Sequence, residues 1–230
     1  MSLDIAARLE HLEEKIEASC NRAGRKREEV RLMGVTKFQS LEVIDEAFKA
    51  GIKLFGESRV QEGMEKFKDF RDSLELHLVG SLQRNKVKKA AAFFDCIQSV
   101  DRESLINELG ALTTDRESPL MVLLEYHTGE ETKSGFKDTE SLFWAADRLL
   151  SFPGLKPMGL MTMAPFTKDE AVIRAAFRRI TAAKAELEKR FSGADWSCLS
   201  MGMTNDYEIA IEEGSTLIRI GSAIFGDLTI

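Results

Sequence analysis

The chain has 230 residues and a net charge of −6, and 43% of its residues are hydrophobic while 30% are charged. This balance is typical of a globular protein with a sizeable core. The negative charge argues against a general nucleic-acid-binding protein, which needs a basic surface, and the absence of any run of about 18 apolar residues predicts no membrane-spanning helix.

The apolar pattern predicts one helix followed by eight strand–helix pairs. The helix covers residues 4–21, where apolar side chains recur at helical spacing. Most of the strands are short continuous apolar runs, as expected for strands buried on both faces. The predicted strands are residues 31–37, 53–57, 76–80, 96–100, 119–127, 155–163, 196–202 and 216–221.

Eight strand–helix units without a linker favour a closed (β/α)8 barrel of the TIM type, a single α/β domain over residues 1–230 with an extra N-terminal helix. An open doubly wound sheet is the alternative, but no G-x-G-x-x-G pattern follows the first strand. Two helices begin with a capping-box pattern, in which Ser58 precedes Gln61 and Thr167 precedes Glu170. The pattern predicts that Ser58 and Thr167 cap these helices.

Lys37 ends the first predicted strand, at the barrel rim where active sites lie. A partly desolvated lysine loses some preference for the ammonium form. The neutral amine can attack an aldehyde to form a Schiff base. The alternative is a solvated lysine that only flanks the strand.

Residues 199–204 and 219–222 end the last two predicted strands with small residues. Free backbone N–H groups there, near the start of a helix, favour an anion site, and barrels frequently bind phosphate at these loops. The glycines could instead serve only the tight turns. A Schiff-base lysine facing a phosphate site fits pyridoxal 5′-phosphate (PLP) or a phosphorylated sugar aldehyde.

The cysteines and the N-terminus predict a cytoplasmic protein. Cys20, Cys96 and Cys198 are odd in number and far apart, as expected for reduced thiols. The first residues contain no signal-peptide core. None of the cysteines and histidines has the spacing of a zinc motif, so we predict no metal site.

Several stretches, in order along nearly the whole chain, match one family pattern. They are residues 35–37 (VTK), 55–62 (FGESRVQE), 77–86 (HLVGSLQRNK), 99–101 (SVD), 133–136 (KSGF), 159–163 (GLMTM) and the block 199–226. The last block is the most specific. On these residues the chain resembles the pyridoxal phosphate homeostasis protein family, single-domain relatives of the alanine racemase N-terminal barrel, which implies the PLP fold type III.

The resemblance implies a role for each matching residue. Lys37 would be the internal aldimine lysine, Arg219 would lie against the pyridine nitrogen, and Ser58 is in doubt as a contact because the family has asparagine there. The phosphate would be held by Ser200, Gly221 and Ser222, and the predicted cofactor-binding set is completed by Met161 and Met201. An arginine only donates hydrogen bonds, so it should leave the ring nitrogen unprotonated and weaken PLP as an electron sink.

Three positions stay open. Ser58 either contacts the cofactor or only caps the helix. Tyr126 takes the place of a family asparagine. His77 is either a satisfied polar residue near the rim or a contact of the cofactor or a ligand.

The resemblance bears on catalysis as well. Racemase relatives carry a second, β-rich domain that supplies a catalytic tyrosine, and this chain ends at Ile230, soon after the eighth strand. Without a second acid–base group we expect weak or absent catalysis. The expected function is therefore a monomeric PLP carrier in intracellular PLP (vitamin B6) homeostasis and in the regulation of amino-acid metabolism, with PLP-dependent apo-enzymes as candidate partners. The alternatives are a PLP-dependent amino-acid racemase or related fold type III enzyme, and a class I aldolase using Lys37.

Overall fold

The strands form one closed parallel barrel. The computed structural model describes residues 4–70, 73–114, 116–129 and 134–226. The strands are β1 (Arg31–Val35), β2 (Leu54–Glu57), β3 (Glu75–Leu78), β4 (Cys96–Val100), β5 (Leu120–Glu125), β6 (Leu155–Met161), β7 (Cys198–Ser200) and β8 (Leu217–Ile220). They pair in chain order, and β8 returns to β1 with Met33 beside Arg219. The predicted (β/α)8 barrel is confirmed, and the doubly wound alternative is wrong.

A helix follows every strand, and one more precedes the first strand. The helices are α1 (Ile5–Arg22), α2 (Leu41–Lys49), α3 (Val60–Phe67), α4 (Val87–Phe93), α5 (Glu103–Thr113), α6 (Thr139–Leu150), α7 (Glu170–Arg190), α8 (Tyr207–Glu212) and α9 (Ser222–Phe225). Within the described ranges, none of them is both long enough and apolar enough to cross a membrane.

The predicted N-terminal helix is α1, which covers α8 and α9. The Asp4 side chain accepts a hydrogen bond from the Ala7 amide at 3.0 Å and so caps its first turn. Its last turn is tied to α8, because Arg22 pairs with Glu208 at 3.0 Å and Glu212 at 2.7 Å. One face is buried, with the helical spacing that the sequence predicted, at Ile5, Leu9, Leu12 and Ile16.

The hydrophobic core has two layers, as expected for a barrel wrapped in helices. The larger layer lies between the strands and the helices. The barrel interior holds two small clusters, formed by Met33, Leu54 and Leu217 and by Cys96, Leu123 and Met161. Because both faces of the strands are covered, β2, β4 and β8 are buried along their whole length.

Six of the eight strands end earlier than the sequence predicted, whereas β2 and β4 end where it predicted, at Glu57 and Val100. β1 ends at Val35, β3 at Leu78 and β7 at Ser200, each two residues before its predicted end. Beyond these points the backbone leaves the ladder and turns, with positive φ at Phe38 (65°) and Gly202 (95°). The residues after each strand therefore lie on loops around the mouth of the barrel.

The two capping predictions are wrong. Helix α3 is preceded by Arg59, without a side-chain cap, so Ser58 lies one residue too early to cap it. Helix α7 is capped by Asp169, whose carboxylate accepts hydrogen bonds from two amides of the first turn. Thr167 instead accepts a hydrogen bond from the Asp169 amide at 3.1 Å and so supports the capping residue.

Candidate functional site

A cavity of about 1190 Å³ opens at the carboxyl ends of the barrel strands. Its wall is formed by the loops that follow the strands, as expected for a parallel barrel. The volume exceeds that of common small-molecule sites, which measure about 300–1,000 Å³. The cavity therefore has room for a molecule the size of PLP and a second small ligand.

Six of the eight predicted cofactor-binding residues line this cavity. They are Lys37, Ser58, Met161, Arg219, Gly221 and Ser222. The other two, Ser200 and Met201, are fully buried and lie outside its wall. The Ser200 hydroxyl bonds to Arg219 and Gln98 inside the barrel, whereas Met201 packs in the larger core layer between the strands and the helices.

Lys37 lies in the loop that follows β1, with its side chain exposed in the cavity. It makes no hydrogen bond or ion pair with any residue that the structure describes. The sequence left open a partly desolvated and a solvated lysine, and the exposed side chain agrees with the solvated one in the protein alone. The preceding residue, Thr36, is fully buried, so only the lysine side chain projects from a fixed strand end.

Arg219 is a buried cation in the cavity wall. It donates to the Ser200 carbonyl at 2.6 Å, the Ser200 hydroxyl at 2.8 Å and the Thr162 carbonyl at 2.8 Å. Burial lowers the pKa of Arg219 to about 10, opposed by the charges of Asp206 and Glu125. No described carboxylate forms an ion pair with it. An anion or a hydrogen-bond acceptor in the cavity would therefore be attracted to this guanidinium.

A chain of hydrogen bonds runs from Arg219 into the barrel interior. The Ser200 hydroxyl donates to Gln98 at 2.6 Å, and the Gln98 amide contacts His77 Nδ1 at 2.8 Å. His77 Nε2 contacts the Glu75 carboxylate at 2.7 Å, and this hydrogen bond lowers the pKa of Glu75 to about 2. His77 is thus a satisfied polar residue inside the barrel, and its predicted place near the rim is wrong.

The loops after β7 and β8 meet at Thr204 and Ser222, which both line the cavity. The Thr204 hydroxyl accepts a hydrogen bond from the Ala223 amide at 3.4 Å, at the start of α9. Two hydroxyl groups and the first backbone N–H groups of a helix form a donor set suited to a phosphate. Sequence reasoning placed the phosphate at these loops but did not name Thr204 as a contact.

Glu125 is a second functional candidate that the sequence analysis missed. It ends β5, is buried and lines the cavity. The Ser134 hydroxyl donates to its carboxylate at 2.9 Å, and burial raises the pKa of Glu125 above its ordinary value. Its signal was a carboxylate that closes an apolar strand. The neighbouring Tyr126, at the position of the family asparagine, packs instead under the Arg179 guanidinium, 5.4 Å from its ring centre.

Glu125→Gln should change how stability depends on pH. Because the folded-state pKa is raised, the carboxyl contributes stability that is complete below pH 4.5 and is lost as the pH rises through the raised pKa. A glutamine cannot ionise, so the variant should escape this loss. Urea unfolding at several pH values from acid to neutral measures the free energy of unfolding of both proteins and checks this difference. Ser134→Ala, which removes a hydrogen bond to the carboxylate, should deepen the loss, and parallel curves for Glu125→Gln and wild type would contradict the expectation.

Two further features of the sequence concern Lys133 and metal binding. Lys133, in one of the matching stretches, lies outside the described residues. In the part of the chain that the structure covers, no group of metal-ligating side chains comes together.

Comparison with known sequences gives a consistent set of relatives. The model of the family "Alanine racemase, N-terminal domain" matches residues 8–229. A pyridoxal phosphate homeostasis protein of Aquifex aeolicus is 36% identical over 226 residues, covering 98% of this chain and 99% of its own. A pyridoxal phosphate homeostasis protein of Escherichia coli is 38% identical over 229 residues, covering 97% of this chain and 96% of its own.

Solved structures agree with the sequence matches. PipY of Synechococcus elongatus, solved without PLP, is 32% identical and superposes with a TM-score of 0.86, covering 97% of this chain and all of PipY (100%). Its PLP-bound structure gives a TM-score of 0.84 at the same identity and coverage. An alanine racemase of Clostridium difficile, 12% identical, shares the fold with a TM-score of 0.79 and covers 99% of this chain and 57% of the racemase. The chain belongs to the pyridoxal phosphate homeostasis protein family, which is built on the alanine racemase N-terminal domain.

Proposed function

We propose that this protein holds PLP reversibly, through a covalent link between Lys37 and the PLP aldehyde, and acts in PLP homeostasis rather than as a robust catalyst. The observation that carries the proposal is one cavity whose wall contains an exposed lysine, a buried arginine with no ion-pair partner among the described residues, and the two loops that follow β7 and β8. The PLP-bound structure of PipY, 32% identical, supports the choice of ligand.

The residues of the cavity fit each chemical group of PLP. Thr204 and Ser222 offer hydroxyl groups to the phosphate, and Gly221 opens α9 beside them. Arg219 can donate only, which suits a ring nitrogen that accepts. When bound, PLP supplies an electrophilic aldehyde, and the amine of Lys37 is the nucleophile that the cavity presents to it.

Arg219 also supports a carrier over a catalyst. A donor against the ring nitrogen leaves that nitrogen unprotonated, so a bound PLP would be a weaker electron sink than one paired with a carboxylate. Lys37 faces an open cavity, which suits exchange of PLP with solvent and with other proteins. We propose on this basis that the protein buffers the reactive aldehyde, supplies PLP-dependent apo-enzymes and thereby influences amino-acid metabolism, as a cytoplasmic monomer.

The proposal is tested by incubating the purified protein with PLP, reducing with borohydride and mapping the modified peptide by mass spectrometry. A pyridoxyl-phosphate adduct on Lys37 is the expected result. Adducts scattered over surface lysines would overturn the assignment of the site. Incubation with sugar phosphates in parallel tests the class I aldolase, which would instead trap a sugar adduct on Lys37.

Glu125 supports a second candidate function, that of a PLP-dependent amino-acid racemase. Its carboxyl faces the cavity and supplies a titratable group besides Lys37. The protein loaded with PLP would be mixed with single enantiomers of several amino acids. Sustained loss of optical activity would favour the racemase and contradict the carrier, whereas unchanged optical activity is expected for the carrier.

Thr204→Val should weaken PLP binding tenfold or more. The valine keeps the shape of threonine but cannot hydrogen-bond the phosphate, and a hydrogen bond to a charged group contributes about 1.5–3 kcal/mol. Absorbance titrations with PLP measure the loss. Pyridoxal, which has the same aldehyde but no phosphate, should bind the variant and the wild type alike. An equal loss for both ligands would place Thr204 outside the phosphate site.

A further inference from the structure

A largely buried ion pair lies next to the peptide bond between Thr36 and Lys37. Glu57, at the end of β2, is completely buried and Lys66 of α3 is only 15% exposed, with 2.9 Å between the Lys66 Nζ and Glu57 Oε1. The Thr36 hydroxyl donates to the same carboxylate oxygen at 2.7 Å. We call Thr36, Glu57 and Lys66 the Glu57 cluster. None of the three lines the cavity, so the cluster stands apart from the residues assigned to PLP.

The Glu57 cluster fixes the peptide group between Thr36 and Lys37 by hydrogen bonds. Lys66 Nζ also donates to the Thr36 carbonyl at 2.8 Å, and that carbonyl belongs to the peptide bond between Thr36 and Lys37. The Thr36 amide donates to the Gly56 carbonyl at 3.0 Å. The amide, hydroxyl and carbonyl of Thr36 are therefore all held, and two of the three are held through Glu57 and Lys66.

Among the described residues, the Glu57 carboxylate has its hydrogen-bond partners only within this cluster. Its second oxygen, Oε2, is buried and has no hydrogen-bond partner among the described residues. A buried charge persists only where its partners offset its desolvation, and here the partners are the Lys66 ammonium and the Thr36 hydroxyl. A fold that needed only packing at this point would be served by an apolar pair of the same size.

The backbone after Lys37 needs such an anchor. Phe38 has φ +65°, the left-handed region that a bulky residue rarely adopts. The Gln39 amide donates to the same Thr36 carbonyl at 3.0 Å and closes this turn. Lys66 and the Gln39 amide thus hold the same carbonyl, at the start of the turn that carries Lys37 and Phe38.

We infer that Lys66 and Glu57 are positioning residues, which fix the Thr36–Lys37 peptide so that the Lys37 amine meets an aldehyde bound in the cavity. The inference rests on the proposed function of Lys37. Reactive groups must be aligned within about 0.5 Å to react efficiently, and a misplacement of about 1 Å can cost a factor of 100 in rate. The cluster should therefore govern the covalent step and leave recognition of the phosphate and the ring unchanged.

The experiment compares PLP with pyridoxine 5′-phosphate, which carries an alcohol in place of the aldehyde and cannot form the covalent link. For Lys66→Met we expect the borohydride-trapped adduct on Lys37 to form about 10- to 100-fold more slowly. The Kd for pyridoxine 5′-phosphate should stay within about twofold of wild type, since the phosphate and ring contacts share no partner with Lys66. Lys66→Arg, which can still donate to both acceptors, should restore much of the rate.

The controls distinguish a folding defect, a wrong inference about Lys66 and a wrong proposed function. Lys49→Met removes an exposed ion pair with Asp45 on α2 and should change neither measurement. If Lys66→Met alone does not fold, the double variant Glu57→Gln/Lys66→Met, without a lone buried charge, replaces it with the same expected result. Unchanged adduct rates, or an equal loss for both ligands, would overturn the inference. Absence of a Lys37 adduct in wild type would instead overturn the proposed function and the inference with it.

Discussion

Lys37→Ala should abolish the borohydride-trapped PLP adduct while leaving the fold intact. The side chain is exposed in the cavity and makes no hydrogen bond or ion pair with any described residue, so its removal takes away the proposed nucleophile and little else. Substitutions at such positions change the free energy of unfolding by about 0.5 kcal/mol or less. Peptide mapping after reduction and urea unfolding measure the two effects separately.

Lys168→Ala is the matched control. Lys168 is a second lysine of the cavity wall, near its mouth, and the variant should keep the adduct on Lys37 in full. Residual binding of PLP to Lys37→Ala, through the phosphate and ring alone, is expected at lower affinity. A stoichiometric adduct on another lysine of the variant would contradict the assignment of Lys37.

Gly159→Ala should destabilise the protein by about 4 kcal/mol or more, or prevent folding. Gly159 lies in β6 with φ +140°, a conformation that L side chains rarely adopt, and an added Cβ would lie 1.9 Å from the Cys198 carbonyl oxygen of β7. That oxygen belongs to the backbone of the neighbouring strand, so it cannot move without opening the barrel.

Urea unfolding of Gly159→Ala and Gly193→Ala measures this effect. Gly193 has no atom within 4 Å of an added Cβ and no positive φ, so its substitution should be close to neutral. Since β6 carries Met161 into the cavity, the Gly159 variant should also lose PLP binding if it folds at all. Equal stability of the two variants would contradict the steric argument.

The fold could be predicted from sequence because its signals are local and repeated. Most of the eight strands are short continuous apolar runs, and α1 shows the helical spacing of Ile5, Leu9 and Leu12 that the structure buries. The errors lie at the ends of elements. Ser58 and Thr167 fit a capping pattern, but one or two residues too early, because the loop geometry after each strand decides where the helix begins.

The sequence could locate site residues that follow a strand, but it could not show how deeply each side chain is buried. Lys37 and Ser222 lie after strands and reach the cavity. Ser200 lies at a strand end too, but its side chain is fully buried and its hydroxyl bonds to Gln98 inside the barrel. Glu125 escaped notice because its significance comes from burial against the cavity, which depends on strands distant in sequence.

The hydrogen-bonded chain between Arg219 and Glu75 has a fixed direction. A guanidinium only donates and a carboxylate only accepts, so the Ser200 hydroxyl, the Gln98 amide and the His77 ring must each accept on the cavity side and donate toward the opposite end of the barrel. No member can rotate without breaking a neighbour's bond. Arg219 is thus locked in orientation before any ligand arrives, and a ligand that meets it spends little entropy on ordering the protein.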